Sequence, residues 1–272
     1  MTEFKRYIKH FSTPPVELPP PLPLTHVTNC TAFEEILGQG HLSPRNCGFF
    51  NKMLIYCFYG RASYRLEGRE KNEGATAQSV AYPACILLNG EQLPDRVGQS
   101  PFDTGAFLTG RFKEHLSPFG KKVDLELLDL FALDVSPDCL RRCVRAFFGT
   151  NDRYYDISPL DSLSPASPSG TVSNYHELLK TRRSTRFDDR AMTFEVRFGN
   201  KIPLNKNTVL KIVIPRAWMN EERKYFSDLF KGLELSDVVT SYRDGFADPL
   251  EHFGALRQKV AGIMEGMKLL ST

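Results

Sequence analysis

The 272-residue chain has one tryptophan and six histidines, and several common signatures are missing from it. No run of about 18 apolar residues is present, which argues against a membrane span. No N-terminal stretch joins a basic head to an apolar core, so a secretion signal is not expected. Neither GxGxxG nor GxxxxGK followed by Ser or Thr occurs, so the phosphate loops of two common nucleotide folds are absent. Six cysteines stand at 30, 47, 57, 85, 139 and 143, without a CxxC pair or a Cys/His cluster. No metal site is therefore assigned. Such thiols read as mostly buried and reduced, in a cytoplasmic protein. Charge is far from either extreme at a net +3. It neither requires nor excludes a nucleic-acid partner. No internal repeat is found.

What is present is ordinary for a globular chain: 41% hydrophobic and 25% charged residues. Six of the 18 prolines fall in residues 1–23, ending in STPPVELPPPLPL. That composition favours an extended polyproline arm. Residues 24–272 read as a single domain that ends in an amphipathic helix.

Within it, residues 31–37 form a short helix, with Thr31 and Glu34 as a capping box and Gly38 and Gly40 as its stop. MLIYCFYG (53–60) and SVAYPACILL (79–88) read as buried strands, Pro83 marking an edge, bulge or break in the second. PFDTGAFLTGRF (101–112) has turn residues around short apolar pieces, and VDLELLDLFALD (123–134) fits neither period. Ser136-Pro137 opens a helix that Gly149 stops. Residues 157–174, rich in Ser and Pro, read as a mobile loop. TFEVRF (193–198) alternates strictly, with Thr193, Glu195 and Arg197 on one face. VLKIVI (209–214) is a strand stopped by Pro215, and Asn220 caps a helix reaching Phe230. The last helix has Asp248 as cap, Pro249 at its first position, and Leu250, Phe253, Leu256, Val260, Ile263 and Met267 as its apolar stripe. Short strands and helices at irregular spacing argue for an α+β fold rather than a doubly wound sheet.

Three places put a polar residue at the end, or on the polar face, of an apolar strand. They are His26 in LTHVTN, Arg61 and Tyr64 in CFYGRASYR, and Glu195 in TFEVRF. Taken singly, each fits an ordinary structural role. Their order resembles that of the ADP-ribosyltransferase superfamily, and the chemistry this resemblance implies is cleavage of a glycosidic bond to a good leaving group. Such a reaction passes through an oxocarbenium ion and needs no Ser or Cys nucleophile. One carboxylate can stabilise the developing positive charge and take a proton from the acceptor. Glu195 suits that role, with Thr193 and Arg197 placed to orient it. Arg61 can hold a diphosphate through forked hydrogen bonds. His26 and Thr28 can hold a ribose hydroxyl, and Tyr59 or Tyr64 can stack on an aromatic leaving group.

The order of these segments resembles the ADP-ribosyltransferase superfamily, and most of all its DarT-type toxins, which modify nucleic-acid bases. THVTNCTAFEEILGQGHLS is similar to that family's histidine-threonine strand, short helix and glycine turn. FYGRASY is similar to its next strand, although Gly60 stands where the family has a proline before the arginine. AMTFEVRF is similar to its late strand carrying a catalytic glutamate. The likeness covers residues 24–65 and, more thinly, 186–215. It implies an ADP-ribosyltransferase-like split sheet core with flanking helices. NAD is the implied co-substrate, with Glu195 and Arg61 as catalytic residues and His26, Thr28, Tyr59, Tyr64 and Arg61 around NAD. The implied activity is mono-ADP-ribosyl transfer to DNA or RNA rather than protein. Arg182, Arg183, Arg186 and Arg190 would face the acceptor, the role would be that of a toxin or phage-defence effector, and an antitoxin would restrain it. The alternatives are an inactive binding module of the same fold, an NAD glycohydrolase, and an RNA 2′-phosphotransferase, which has no need of Glu195.

Overall fold

The computed structural model describes residues 1–11, 17–63, 82–117, 122–164, 170–181, 192–221, 223–245 and 249–271. The chain starts with helix α1 (Glu3–His10), capped by Thr2, and not with an extended arm. Phe4, Tyr7 and Ile8 recur at i, i+3 and i+4 and are buried. The prolines act only beyond this helix, and residues 17–23 run without helix or strand. β1 (Leu24–Asn29) leads into α2 (Cys30–Gln39). Asn29, not Thr31, caps α2, its side chain accepting from the Ala32 N–H at 2.9 Å. The acceptor at the end of β1 starts the helix two residues earlier than the capping box implied. Gly40, at φ 68°, ends it.

β2 (His41–Leu42), β3 (Arg45–Cys47) and β4 (Lys52–Tyr59) follow, then β5 (Pro83–Leu88) and β6 (Arg96–Ser100). Pro83 is the first residue of β5, a position that tolerates its missing N–H. The turn-rich stretch 101–112 holds α3 (Thr104–Leu108), α4 (Lys113–Leu116) follows it, and the stretch 123–134 that fitted neither period folds in part as α5 (Leu125–Asp129). Asp103 and Asp124 cap the first and last of these. Helices this short complete too few turns to show a 3.6-residue period.

Pro137 occupies the first turn of α6 (Pro137–Phe147), and α7 (Asn151–Tyr155) follows Gly149 at φ 83°. α8 (Gly170–Thr181) replaces the last part of the expected 157–174 loop and buries Val172 and Tyr175. β7 (Glu195–Phe198), β8 (Ile202–Pro203) and β9 (Val209–Pro215) come next, then α9 (Arg216–Glu221) and α10 (Arg223–Gly232). Asn220 therefore lies inside α9, not ahead of a helix. The Asp244 carboxylate accepts from the Ala217 N–H in the first turn, so the helix begins directly after β9. β10 (Val239–Tyr242) and α11 (Pro249–Gly266) complete the chain, with Phe253, Leu256, Val260 and Met264 buried. Met264, not Met267, extends that stripe. The expected cap Asp248 lies outside the described residues.

The sheet order is β10-β9-β5-β1-β4-β7-β6, with β3 pairing β4 and a separate β2-β8 pair. β9 and β10 run parallel and the other pairs antiparallel, giving a mixed central sheet flanked by helices. α2 packs on β1 and β5, and α11 on β5, β9 and β10. Phe33 of α2 stacks on Trp218 of α9, which stacks on Phe226 of α10. At the other end, Phe4 of α1 stacks on Phe147 and meets Tyr175 edge-on. The stretch before β1 is tied down along its length. Arg141 donates to the Pro19 carbonyl, Asn151 to Pro20, and the Gly60 N–H to Pro23. Cys57, Cys85, Cys139 and Cys143 are buried thiols and Cys47 is half-buried. No helix among the described residues is long and apolar enough to cross a membrane.

Candidate functional site

The central sheet is forked. β1 is paired with β5 along its whole length, from Leu24↔Leu88 to Asn29↔Pro83. On its other edge it pairs β4 only at Leu24↔Tyr59 and Thr25↔Phe58. Beyond that point the two strands part. Between them opens a cleft of about 980 Å³, at the upper end of the range of ligand pockets. His26, Val27, Thr28 and Asn29 line one wall, and Leu54, Ile55, Tyr56, Phe58 and Glu195 the other.

His26 bridges the fork. Its Nδ1 lies 2.9 Å from the Tyr56 carbonyl, which can only accept, so Nδ1 carries the proton. Burial lowers the His26 pKa, opposed by the Tyr56 hydrogen bond and aided by Arg45. The neutral ring then presents Nε2 as an acceptor. Thr28 is buried in the same wall. Thr25, one residue before His26, donates from Oγ1 to the Arg61 carbonyl at 2.6 Å and fixes the chain leaving β4.

Glu195 reaches the cleft because β7 pairs β4 on the edge away from β1, with Glu195↔Phe58 and Arg197↔Tyr56 in register. The glutamate is 1% exposed. Both its oxygens are held. The Thr104 N–H donates to Oε2 at 3.0 Å, and the Thr104 hydroxyl to Oε1 at 2.7 Å. Arg197 Nε lies 3.6 Å from Oε1. Burial raises the Glu195 pKa to about 7, with the Asp103 charge adding to it and Arg197 and Thr104 opposing it. A carboxyl poised there can both give and take a proton near neutrality. Arg197 is itself boxed in. Its guanidinium lies over the Phe50 ring at 4.5 Å and donates to Ser100 Oγ at 3.1 Å.

The other expected residues divide. Arg61 is 0% exposed and packs inside, its guanidinium 6.0 Å from the Tyr154 ring, not on the cleft wall. Gly60 explains the turn that takes it there. At φ 69° it adopts a left-handed conformation closed to proline, and its N–H donates to the Pro23 carbonyl at 2.8 Å. Tyr59 is also interior, stacked on Phe194, with its hydroxyl accepting from the Leu22 N–H. It follows Phe58 on β4, and alternation turns it away from the cleft. Neither residue is among those lining the cleft. Tyr64, Arg182, Arg183, Arg186 and Arg190 lie outside the described residues.

No family model, curated protein or solved structure matches the chain. The site therefore stands on its own geometry. That geometry adds residues the pattern did not single out. Ser63, Asp103, Arg45 and Arg111 line the cleft, and Thr104 grips its carboxylate. Arg45 pairs with Glu35 at 3.2 Å on the rim. The one signal for Asp103 and Thr104 in the sequence was an N-capping Asp before a short apolar piece. Among the described residues, no group of three or more His, Cys, Asp or Glu is placed to hold a metal ion.

Proposed function

We propose that the protein is an NAD-dependent mono-ADP-ribosyltransferase built on an ADP-ribosyltransferase-like split sheet. The observation that carries this reading is the fork. Parting β1 from β4 brings His26 and Glu195 onto one cleft, although they stand far apart in the chain. NAD supplies the N-glycosidic bond whose cleavage releases nicotinamide. The donor set fits such a ligand: a neutral imidazole acceptor, a poised carboxyl, and two cations on the wall.

His26 Nε2 accepts a ribose hydroxyl. Ionised Glu195 faces the anomeric carbon, stabilises the oxocarbenium charge and takes the acceptor's proton. Arg45 and Arg111, which line the cleft where Arg61 does not, hold the diphosphate. A nucleic-acid acceptor, a toxin or defence role, and a restraining antitoxin rest on the resemblance and on the arginine run preceding β7.

The test is label transfer from radiolabelled NAD to single-stranded DNA, RNA and cell lysate, beside a Glu195→Gln control. The expected result is nuclease-sensitive label that Glu195→Gln abolishes. Protease-sensitive label would keep the chemistry and replace the acceptor. Nicotinamide release without transfer would assign a glycohydrolase. Neither transfer nor release would overturn the enzymatic reading and leave a binding module.

A further inference from the structure

The loop between β6 and α3 has no counterpart in the segments whose order suggested the reaction, yet it makes the closest contacts to the candidate catalytic carboxyl. Thr104 presents two donors to one carboxylate. Its main-chain N–H meets Oε2 at 3.0 Å and its hydroxyl meets Oε1 at 2.7 Å. A fork of this kind fixes the plane of the carboxylate as well as its position. Thr104 is 0% exposed, so water does not compete for the pair. Asp103, the residue before it, lines the same cleft and is anchored by its Oδ1 accepting from the Ala106 N–H. One short helix start thus delivers a clamp and a like charge to the same glutamate.

We propose that Thr104 and Asp103 are positioning residues for Glu195: Thr104 clamps both carboxylate oxygens, and Asp103, held at the same helix start, sets a second carboxylate on the same cleft. The proposal deepens the transferase reading and rests on it. Its two parts act in opposite directions. The Thr104 bonds favour the ionised glutamate and Asp103 disfavours it, while burial raises the pKa further. Among the described residues, the other charged or titratable groups around Glu195 are Arg197 on its own strand and Tyr56 on β4. Farther along the cleft wall are His26, Glu35, Arg45 and Arg111.

The balance can be read by substitution. Thr104→Val removes the hydroxyl donor and keeps the main-chain one and the side-chain shape. Thr104→Ser restores the hydroxyl. Asp103→Asn removes the charge and retains an N-capping side chain. Two readouts are needed: the pH profile of nicotinamide release, and a carbon-13 NMR titration of the Glu195 carboxyl, assigned by its loss in Glu195→Gln. The expected result is a midpoint that rises in Thr104→Val, returns toward wild type in Thr104→Ser, and falls in Asp103→Asn. In Thr104→Val, kcat falls between about tenfold and a hundredfold, while KM for NAD moves by about twofold or less. NMR midpoints equal to wild type in both Thr104→Val and Asp103→Asn would overturn the proposal, whatever the activity. The expected NMR shifts in a wild-type protein that never releases nicotinamide would retain the clamp and overturn the reaction assigned to it.

Discussion

Glu195 carries a pH signature that needs no substrate. Its pKa in the folded chain is about 7, above the ordinary 4.5 of a glutamate, because burial penalises the charge. Between those two values the folded chain binds more protons than the unfolded one, so stability falls as pH rises. The contribution is fully present below about pH 4.5 and lost as pH passes through 7. An offset of this size corresponds to roughly 3 kcal/mol. Glu195→Gln, neutral at every pH, is therefore expected to melt above wild type at pH 8 and to match it more nearly at pH 5. Thermal denaturation across that range checks this, and a wild-type-like decline in the variant would refute it. His26 works in the opposite sense. Its lowered pKa keeps the ring neutral and its Nε2 an acceptor until the medium is acidic.

At the scale of elements, β6 and β7 shape the site by what one of them lacks. Gly98 pairs with Arg197 across these strands. A Cβ at Gly98 would lie 2.6 Å from Arg197 Nη2 and 2.9 Å from Cζ. The guanidinium cannot simply swing away, since Phe50 covers it and Ser100 binds it. Gly98→Ala is expected to push Arg197 off Glu195 Oε1, raise the glutamate's midpoint, and lower turnover by about tenfold or more. The cost in stability should be about 1–3 kcal/mol, typical of overpacking. The same NMR titration with a urea melt measures both effects. An unshifted midpoint would mean that Arg197 does not govern Glu195.

For the molecule as a whole, the N-terminal residues belong to the core. Phe4 is 0% exposed and sits among Phe131, Phe147 and Tyr175. The stretch from Pro19 to Pro23 is then stitched to α6, α7 and the turn after β4. Asn151 donates to both Pro20 and Leu269, joining the start of the chain to its end. Phe4→Ala is expected to cost about 3–5 kcal/mol, read as a lower urea midpoint at unchanged slope. A loss below about 1 kcal/mol would show α1 to be a detachable appendage.

The sequence by itself determined the local elements whose signals are complete within a few residues. The α+β class, strands β4, β7 and β9, α6 with Pro137 in its first turn, and the Phe253, Leu256 and Val260 part of the α11 stripe were legible. His26, Thr28 and Glu195, which the order of the segments singled out where no one of them did so alone, line the cleft. Only the tertiary structure decided which face of each strand meets the cleft. Tyr59 and Arg61 share a segment with cleft-lining Phe58 and Ser63, yet alternation and the Gly60 turn bury both. Nor could one-dimensional pattern show that Thr104 reaches Glu195, 91 positions away. Contacts of that kind follow from the strand order β4-β7-β6 and the path of the chain beyond it. Periodicity records which residues avoid water. It does not record which of them, once buried, will share a hydrogen bond.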